Sequence, residues 1–379
     1  MKRIVITYIP LKHFTYFQYL IFGFYQWSKK GEIEFIINPE KVYDRVFYRF
    51  YRLYRLVRKY GKHDRKQKRN NYLLRGYYQD HDVRIYFTYD IADNPHYYDL
   101  EVLKSVDLYF KAQCPIEFKE TGFELTPEVV LPYSPGIFKY INKIYPSMIA
   151  PGFGVNNIFS YKQLNHGYQE MFLPEIKKAK SIMCYFGNSL GPKEFLSEEP
   201  DSYLKESHIL AFFKGKISHP NVKREKAAKL ISEILVDSDA RVVHEGNCDT
   251  DYFEKDSKFF IPLKDFPLHI SKFRYNLNIS GHRLSIPFRF IHSFSVGTAI
   301  ITDKLKLKWY LPFGPEVHES VEMGYLPTEQ INWKEFRQDL LKLPVIDPNQ
   351  VLKEFQNKWT PEAFAGYIIE TCKSKIQIS

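Results

Sequence analysis

The sequence predicts an α/β protein built from two domains, and three observations carry that prediction. The chain has 379 residues, beyond the roughly 250–300 at which a single hydrophobic core stops growing. Its first half alternates short, β-rich apolar runs with helical or loop stretches. Residues 271–313 then read as strand, loop, helix, strand: Tyr275 to Ile279 is β-rich, Gly281 to Pro287 polar, Phe288 to Phe294 helical, and Thr298 to Thr302 apolar and β-branched after a turn at Gly297. In such a βαβ unit, the loop after the first strand and the start of the helix face the carboxyl edge of a parallel sheet, where ligands bind. Ser285, Arg289 and the Phe288 amide lie there, as a helix start and a guanidinium suited to phosphate.

Taken in order, the first half offers strands at residues 3–9, 33–38, 83–89, 106–110 and 129–131, with an aromatic buried helix at 14–27 after the first. That helix contains Gln18 and Gln26 and falls short of the ~20 apolar residues of a membrane span. The opening run RIVITYI is a strand without the pattern of a secretory signal. Tyr8-Ile9-Pro10 follows it where a dinucleotide fingerprint would need glycines, so an NAD enzyme is not expected.

Residues 45–70 form the most unusual stretch, with eleven Lys or Arg against the single acid Asp64. Val46, Phe50, Leu53 and Val57 recur at helical spacing beside a stripe of Arg45, Arg49 and Arg52, which describes a basic amphipathic helix. Such a face suits lipid headgroups or an anionic acceptor, and equally a solvated surface. Arg and Tyr also interleave as in single-strand binders, but no nucleic-acid motif accompanies the tract and none is expected as partner.

The strand at 83–89 runs into Asp90-Ile91-Ala92-Asp93-Asn94-Pro95. Two carboxylates there would face an interdomain cleft from a sheet's carboxyl edge. An Asp-x-Pro turn explains the same residues without chemistry.

Strand signals fade from residue 134 to 180, and the domain boundary is placed near Lys178, giving 1–178, 179–360 and a terminal helix at 361–379. Residues 181–186 read as a buried strand ending in a Gly187 to Gly191 loop that can approach a phosphate or acceptor. Helices are expected at 223–235, 333–341 and 351–359, and a strand at 241–244.

Composition narrows the partner. A net charge of +10 favours an anionic one. Cys114, Cys184, Cys248 and Cys372 are widely spaced, indicating neither a zinc site nor a disulfide framework and fitting a reducing compartment. Aromatic content is 17%, suited to sugar or base stacking and also to cores.

The run Phe288-Arg289-Phe290-Ile291-His292-Ser293-Phe294, then Gly297 and an apolar strand, followed by Trp309-Tyr310-Leu311 and Pro315-Glu316-Val317-His318, resembles the sugar-nucleotide segment of the protein O-glucosyltransferase and capsule-associated glycosyltransferase family, and more loosely exostosin-type enzymes. The similarity covers about 50 residues. It implies a GT-B fold, two Rossmann-like domains facing across a cleft, and a glycosyltransferase. Its implied donor is a nucleotide sugar, expected to be a UDP-sugar. The family's Asp-aromatic-Pro supplies the general base, a position that Asp93 matches, with Asn94 where an aromatic is common. Arg289, Ser285 and Phe288 would hold the diphosphate, Phe273 or Tyr275 flank base or sugar, and Asp303 bind the sugar or end its strand. No cofactor or metal is expected, since no DxD stands among the apolar strands and cationic side chains can neutralise the diphosphate. No pair of glutamates seven residues apart occurs between Ser271 and Trp309, which favours inversion. The picture is a bacterial cytoplasmic enzyme at the inner membrane, building lipopolysaccharide or capsule.

Other readings stay open. Arg289 can pair with Asp303 or Glu316 and be structural; His282 and His292 are expected to be structural, His292 facing the core. A fucosyl- or exostosin-like transferase with another nucleotide, or a non-catalytic binder of anionic polymer or membrane, fits the same charge.

Overall fold

The computed structural model describes residues 2–10, 14–37, 72–150, 207–215, 219–235, 238–244 and 270–378. The basic tract at 45–70 with Arg45, Arg49 and Arg52, the boundary near Lys178, the strand at 181–186, Gly187 and its loop, Cys184 and Cys248 lie outside the described residues.

The chain is mixed α/β. Strand β1 (Arg3–Tyr8), helix α1 (Phe14–Lys29) and strand β2 (Glu34–Ile37) form a βαβ unit with the strands parallel. Strands β3 (Leu73–Asp80) and β4 (Val83–Asp90) then make an antiparallel hairpin, turning through His81 at a φ of 53°. Helix α2 (Leu100–Ser105), N-capped by the Asp99 carboxylate, leads to strand β5 (Leu108–Lys111), parallel to β4. Strand β6 (Cys114–Pro115), the small hairpin of β7 (Phe123–Thr126) and β8 (Val129–Leu131), and strand β9 (Ile144–Pro146) complete this half.

The six strands are ordered β2-β1-β3-β4-β5-β9. All run one way except β3, so the sheet is mixed. The strand not foreseen is β3, LLRGYYQD, whose Arg75 and Gly76 interrupt any apolar run. Gly76 is needed there, because a Cβ would stand 2.6 Å from the Val5 carbonyl oxygen of the neighbouring strand.

The second half begins with β10 (Ser207–Gly215), α3 (His219–Ile234), β11 (Asp239–His244), β12 (Phe273–Leu277), α4 (Arg289–Phe294), β13 (Ala299–Thr302), β14 (Leu307–Lys308) and β15 (Val317–Glu319). Its sheet is ordered β11-β10-β12-β13-β15 with every pairing parallel. The order reverses between β10 and β12, and the crevice beyond their carboxyl ends is where doubly wound sheets take ligands.

Helices α5 (Trp333–Leu341), α6 (Pro348–Glu354) and α7 (Pro361–Ile378) follow, with a wide turn at Phe355–Trp359 between the last two. Helix α7 returns to the first sheet. Phe364 meets Tyr89 edge-on at 5.5 Å and Tyr367 meets Phe110 at 5.7 Å, while the Tyr367 hydroxyl donates to the Pro146 carbonyl at 2.9 Å. The sequence allows this close approach at Gly23 of α1, where any Cβ would collide with the Pro361 carbonyl. Hence α1 is buried on two sides, by the sheet and by α7, and its aromatic sequence is core. No helix among the described residues is long and apolar enough to cross a membrane.

The halves are joined near their carboxyl edges. Strands β6 and β14 pair antiparallel, and Gln113 both donates to the Ile286 carbonyl (3.0 Å) and accepts from its amide (2.9 Å).

Candidate functional site

Helices α3 and α4 follow the two strands that flank the reversal, and each brings an arginine to it. Arg224, early in α3, donates to the carbonyls of Ile279 (3.1 Å) and Ser280 (3.4 Å), just beyond β12. Arg289, the first residue of α4, donates through Nε to Oδ1 of Asn278 at 3.1 Å. The two guanidinium groups grip adjacent residues of the segment 278–280 and repel one another: burial, then Arg224, draws Arg289 down to about 9. Among the described residues no carboxylate pairs with Arg289. The structural ion pair with Asp303 or Glu316 is therefore not what holds it.

Those two acids are occupied otherwise. Asp303 is fully buried and accepts from the Ser280 amide (2.8 Å) and hydroxyl (2.7 Å), the Thr302 hydroxyl (3.3 Å) and the Gly324 amide (3.0 Å). Its oxygens are committed to shaping the loop, which places it behind the crevice instead of against a sugar. Glu316, held above the usual carboxylate range by burial, accepts from Trp359 Nε1 at 3.3 Å and the Gly314 amide at 2.9 Å.

Asn278 supplies a second sign of a ligand. It is 1% exposed, and its Oδ1 is taken by Arg289, so its Nδ2 is a donor; that buried donor has no partner among the described residues. A buried amide N–H left unmade costs ~1–3 kcal/mol, and an acceptor from outside relieves it. Beside it, burial draws the Lys223 ammonium down to about 8 as it donates to the Met323 and Gly324 carbonyls, with Asp303 pulling the other way.

The expected role of the helix start is weaker than its sequence suggested. Helix α4 has only six residues, and the amides of Phe290 and Ile291 already donate to Pro287 and Phe288 carbonyls. The charge here is side-chain charge. Ser285 is buried in the loop, near enough to Gly281 that a Cβ there would stand 2.5 Å from its Oγ. Phe273 and Tyr275 lie elsewhere. Phe273 opens β12 at the far edge, and Tyr275 is fully buried with its hydroxyl donating to Pro344 at 2.6 Å; side chains alternate along a strand, and these two face the core. His292 is buried against Phe288, edge-on at 5.7 Å.

Across from this crevice, β4 ends in Asp90, and the two carboxylates of the turn separate into different roles. Asp90 is buried and accepts from Lys111 Nζ (2.8 Å), the Tyr109 hydroxyl (2.6 Å) and the Ala92 amide (2.8 Å). Lys111 also donates to the Ala92 carbonyl at 3.3 Å and lies 5.3 Å above the Tyr98 ring. That pair braces the turn and leaves Asp93 exposed at its tip. After burial, the Asp93 charge helps raise the Tyr16 and Tyr72 phenols, so both rings stand near it. Tyr16 in turn lies 6.1 Å, ring to ring, from Phe288, the neighbour of Arg289. Asp93, the two tyrosines and the Phe288–Arg289 corner thus belong to one interface between the carboxyl edges.

Three groups here escaped sequence reasoning. Arg224 stands in a helix read only for its apolar side. Arg283 reaches Asn94 Oδ1 across the interface. His96, half-buried, is drawn down to about 4 by burial, then by Arg283 and Lys111. The signal for Arg224 was a basic pair, Lys223-Arg224, in the early turns of a helix after a strand, and it required recognising β10 first. Among the described residues no three His, Cys, Asp or Glu side chains converge as a metal-ligand set.

No protein-family model matches the chain, and no curated protein is significantly similar to it.

Proposed function

We propose that the chain is a GT-B glycosyltransferase, with two Rossmann-like halves that bind a nucleotide-sugar donor on the second sheet and a glycan acceptor on the first. The observation that carries the reading is the closeness of Arg224 and Arg289 at the sheet's reversal, with no carboxylate on Arg289 among the described residues and the buried Asn278 donor beside it. That arrangement suits the diphosphate of a donor, which brings about two negative charges and many acceptor oxygens.

In the proposed reaction Arg224, Arg289 and Asn278 Nδ2 hold the diphosphate, supplying the charge that a metal ion would otherwise supply. Asp93 accepts the proton of the acceptor hydroxyl. The freed oxygen forms its bond to the anomeric carbon as the carbon–oxygen bond to phosphate breaks, its electron pair leaving with the nucleoside diphosphate. A single displacement inverts the centre. The donor is taken as a UDP-sugar and the acceptor as a lipopolysaccharide or capsule glycan, met in the cytoplasm at the inner membrane.

A thermal-shift panel of UDP-, GDP-, CMP- and dTDP-sugars tests the donor half. A ligand at 100 times its Kd adds about 2.7 kcal/mol, so one nucleotide should raise the midpoint of the native chain and not that of Arg289→Ala. If none does, the reading falls and a binder of anionic polymer becomes the better account.

A further inference from the structure

We infer that the acceptor carries an anionic group of its own, a carboxylate or a phosphate, which Arg283 binds beside Asp93. The inference rests on the glycosyltransferase reading and gives its acceptor a chemical class.

Arg283 lies on the loop between β12 and α4 and projects from the donor half to the acceptor half. It is half-buried, and its guanidinium donates to the amide oxygen of Asn94, the residue after Asp93. No carboxylate pairs with it among the described residues. Half-buried lysines elsewhere are matched: Lys306 with Glu322 at 2.8 Å and Lys358 with Glu354. The Asn94 oxygen orients the guanidinium without neutralising it, and its remaining N–H groups stay available for a planar anion.

The backbone is strained to hold it there. Arg283 (φ 57°, ψ 37°) and Leu284 (φ 63°) are consecutive left-handed residues, neither of them glycine. Such residues are strained and persist only where the surroundings over-determine them. Here Leu284 is buried to 2% against Gly324, where a Cβ would stand 2.7 Å from its Cδ2, and the Arg283 amide donates to the Tyr325 hydroxyl at 3.1 Å. The Gly281 amide closes the loop on the Ser285 carbonyl at 2.9 Å. The backbone is anchored on both sides, and from it the side chain reaches Asn94.

His96 completes the corner. Its Nδ1 is buried without a partner among the described residues. The ring is neutral at pH 7, so one nitrogen can donate to an anion while Arg283 supplies the charge. An acceptor with a carboxylate or phosphate near its reacting hydroxyl would pair that group with Arg283 and His96 and present the hydroxyl to Asp93. An uncharged acceptor would leave Arg283 uncompensated.

The test uses the full chain with glucuronate, glucose 6-phosphate and uncharged glucose, followed by ligand-observed NMR, with the nucleotide-sugar shift measured in parallel. At least one acidic sugar should bind tenfold or more tightly than glucose, and which one does so separates carboxylate from phosphate. Arg283→Gln should erase the preference. Asn94→Asp should erase it too, by placing a carboxylate on an intact Arg283, so a folding defect in one variant does not decide the matter. Both variants should keep the Arg289-dependent donor shift. Equal binding of all three sugars, a preference that survives both variants, or loss of donor binding in Arg283→Gln overturns the inference while leaving the glycosyltransferase reading in place. Absence of any donor shift in the native chain brings down that reading and this inference together.

Discussion

The two carboxyl edges that face each other handle charge in opposite ways. On the first sheet, Asp90 and Lys111 are buried at 4% and 0% exposure and satisfy each other, so only Asp93 is displayed. On the second, Lys223 and Arg224 feel one buried acid, Asp303, whose oxygens are already hydrogen-bonded by the loop, and Arg289 adds a further cation near Arg224. A matched pair fixes the shape of a turn; a surplus of charge of one sign, with a buried amide donor left over among the described residues, is what the proposed donor site rests on. The difference separates residues that build the interface from residues that use it.

The comparison breaks most visibly at Lys111. Replacing it with Met leaves Asp90 buried and uncompensated, and such a break typically costs ~3–5 kcal/mol. Urea denaturation should show a loss of that order for Lys111→Met, and a smaller one when Asp90→Asn is added. Arg289→Gln should cost little stability, because it removes a repulsion with Arg224. A loss as large as that of Lys111→Met would mean that Arg289 is structural and that the edges do not differ as described.

Histidines sharpen the contrast at a smaller scale. Burial and the Arg289 charge hold His292 down to about 3, and His96 on the other edge is held to about 4. Both fold as neutral rings while the unfolded chain binds their protons below pH ~6.5. Unfolding therefore takes up protons between about 6.5 and 4 for His96 and down to about 3 for His292, and stability is fully present above that window and lost as pH falls through it. Each histidine contributes a slope of up to about 1.4 kcal/mol per pH unit, less for the half-exposed His96. Urea midpoints at pH 7 and pH 5 should fall in the native chain and fall less in His292→Phe; an unchanged slope would remove His292 from the account.

What the sequence disclosed follows from how local each signal is. The βαβ unit around Arg289 and the turn carrying Asp93 were legible because strand, glycine and helix punctuation lie within a few residues. Helix α1 was legible as buried from its aromatics. Strand β3 was not, because its glycine makes sense only beside Val5 and Phe87 of the neighbouring strands. The same holds for Phe273 and Tyr275: they neighbour the site in sequence, but the strand carries them away from it. Arg224 and Arg283 became visible only through tertiary geometry, since nothing within either segment says what faces it. Asp303 was rightly placed at a strand end, and apart from the adjacent Thr302 its donors come from Ser280 and Gly324, each about 20 residues away.

The smallest expected effect addresses the surplus charge directly. Asn278→Asp keeps the size of the side chain and the oxygen that accepts from Arg289 Nε, and replaces the unpartnered Nδ2 donor with a second carboxylate oxygen. The repulsion between Arg224 and Arg289 gains an internal counter-ion, and a buried unsatisfied donor disappears. Stability should rise by about 0.5–1.5 kcal/mol, the net worth of one hydrogen-bonded contact. At the same time the crevice loses its surplus, so inorganic pyrophosphate and the nucleotide-sugar found in the donor panel should each bind at least tenfold more weakly, measured by titration calorimetry. A gain in stability with a loss of anion affinity is the signature of charge held in reserve for a ligand. A loss of stability with unchanged affinity would mean that the Asn278 amide serves the fold, and the asymmetry between the two edges would then be one of packing and not of function.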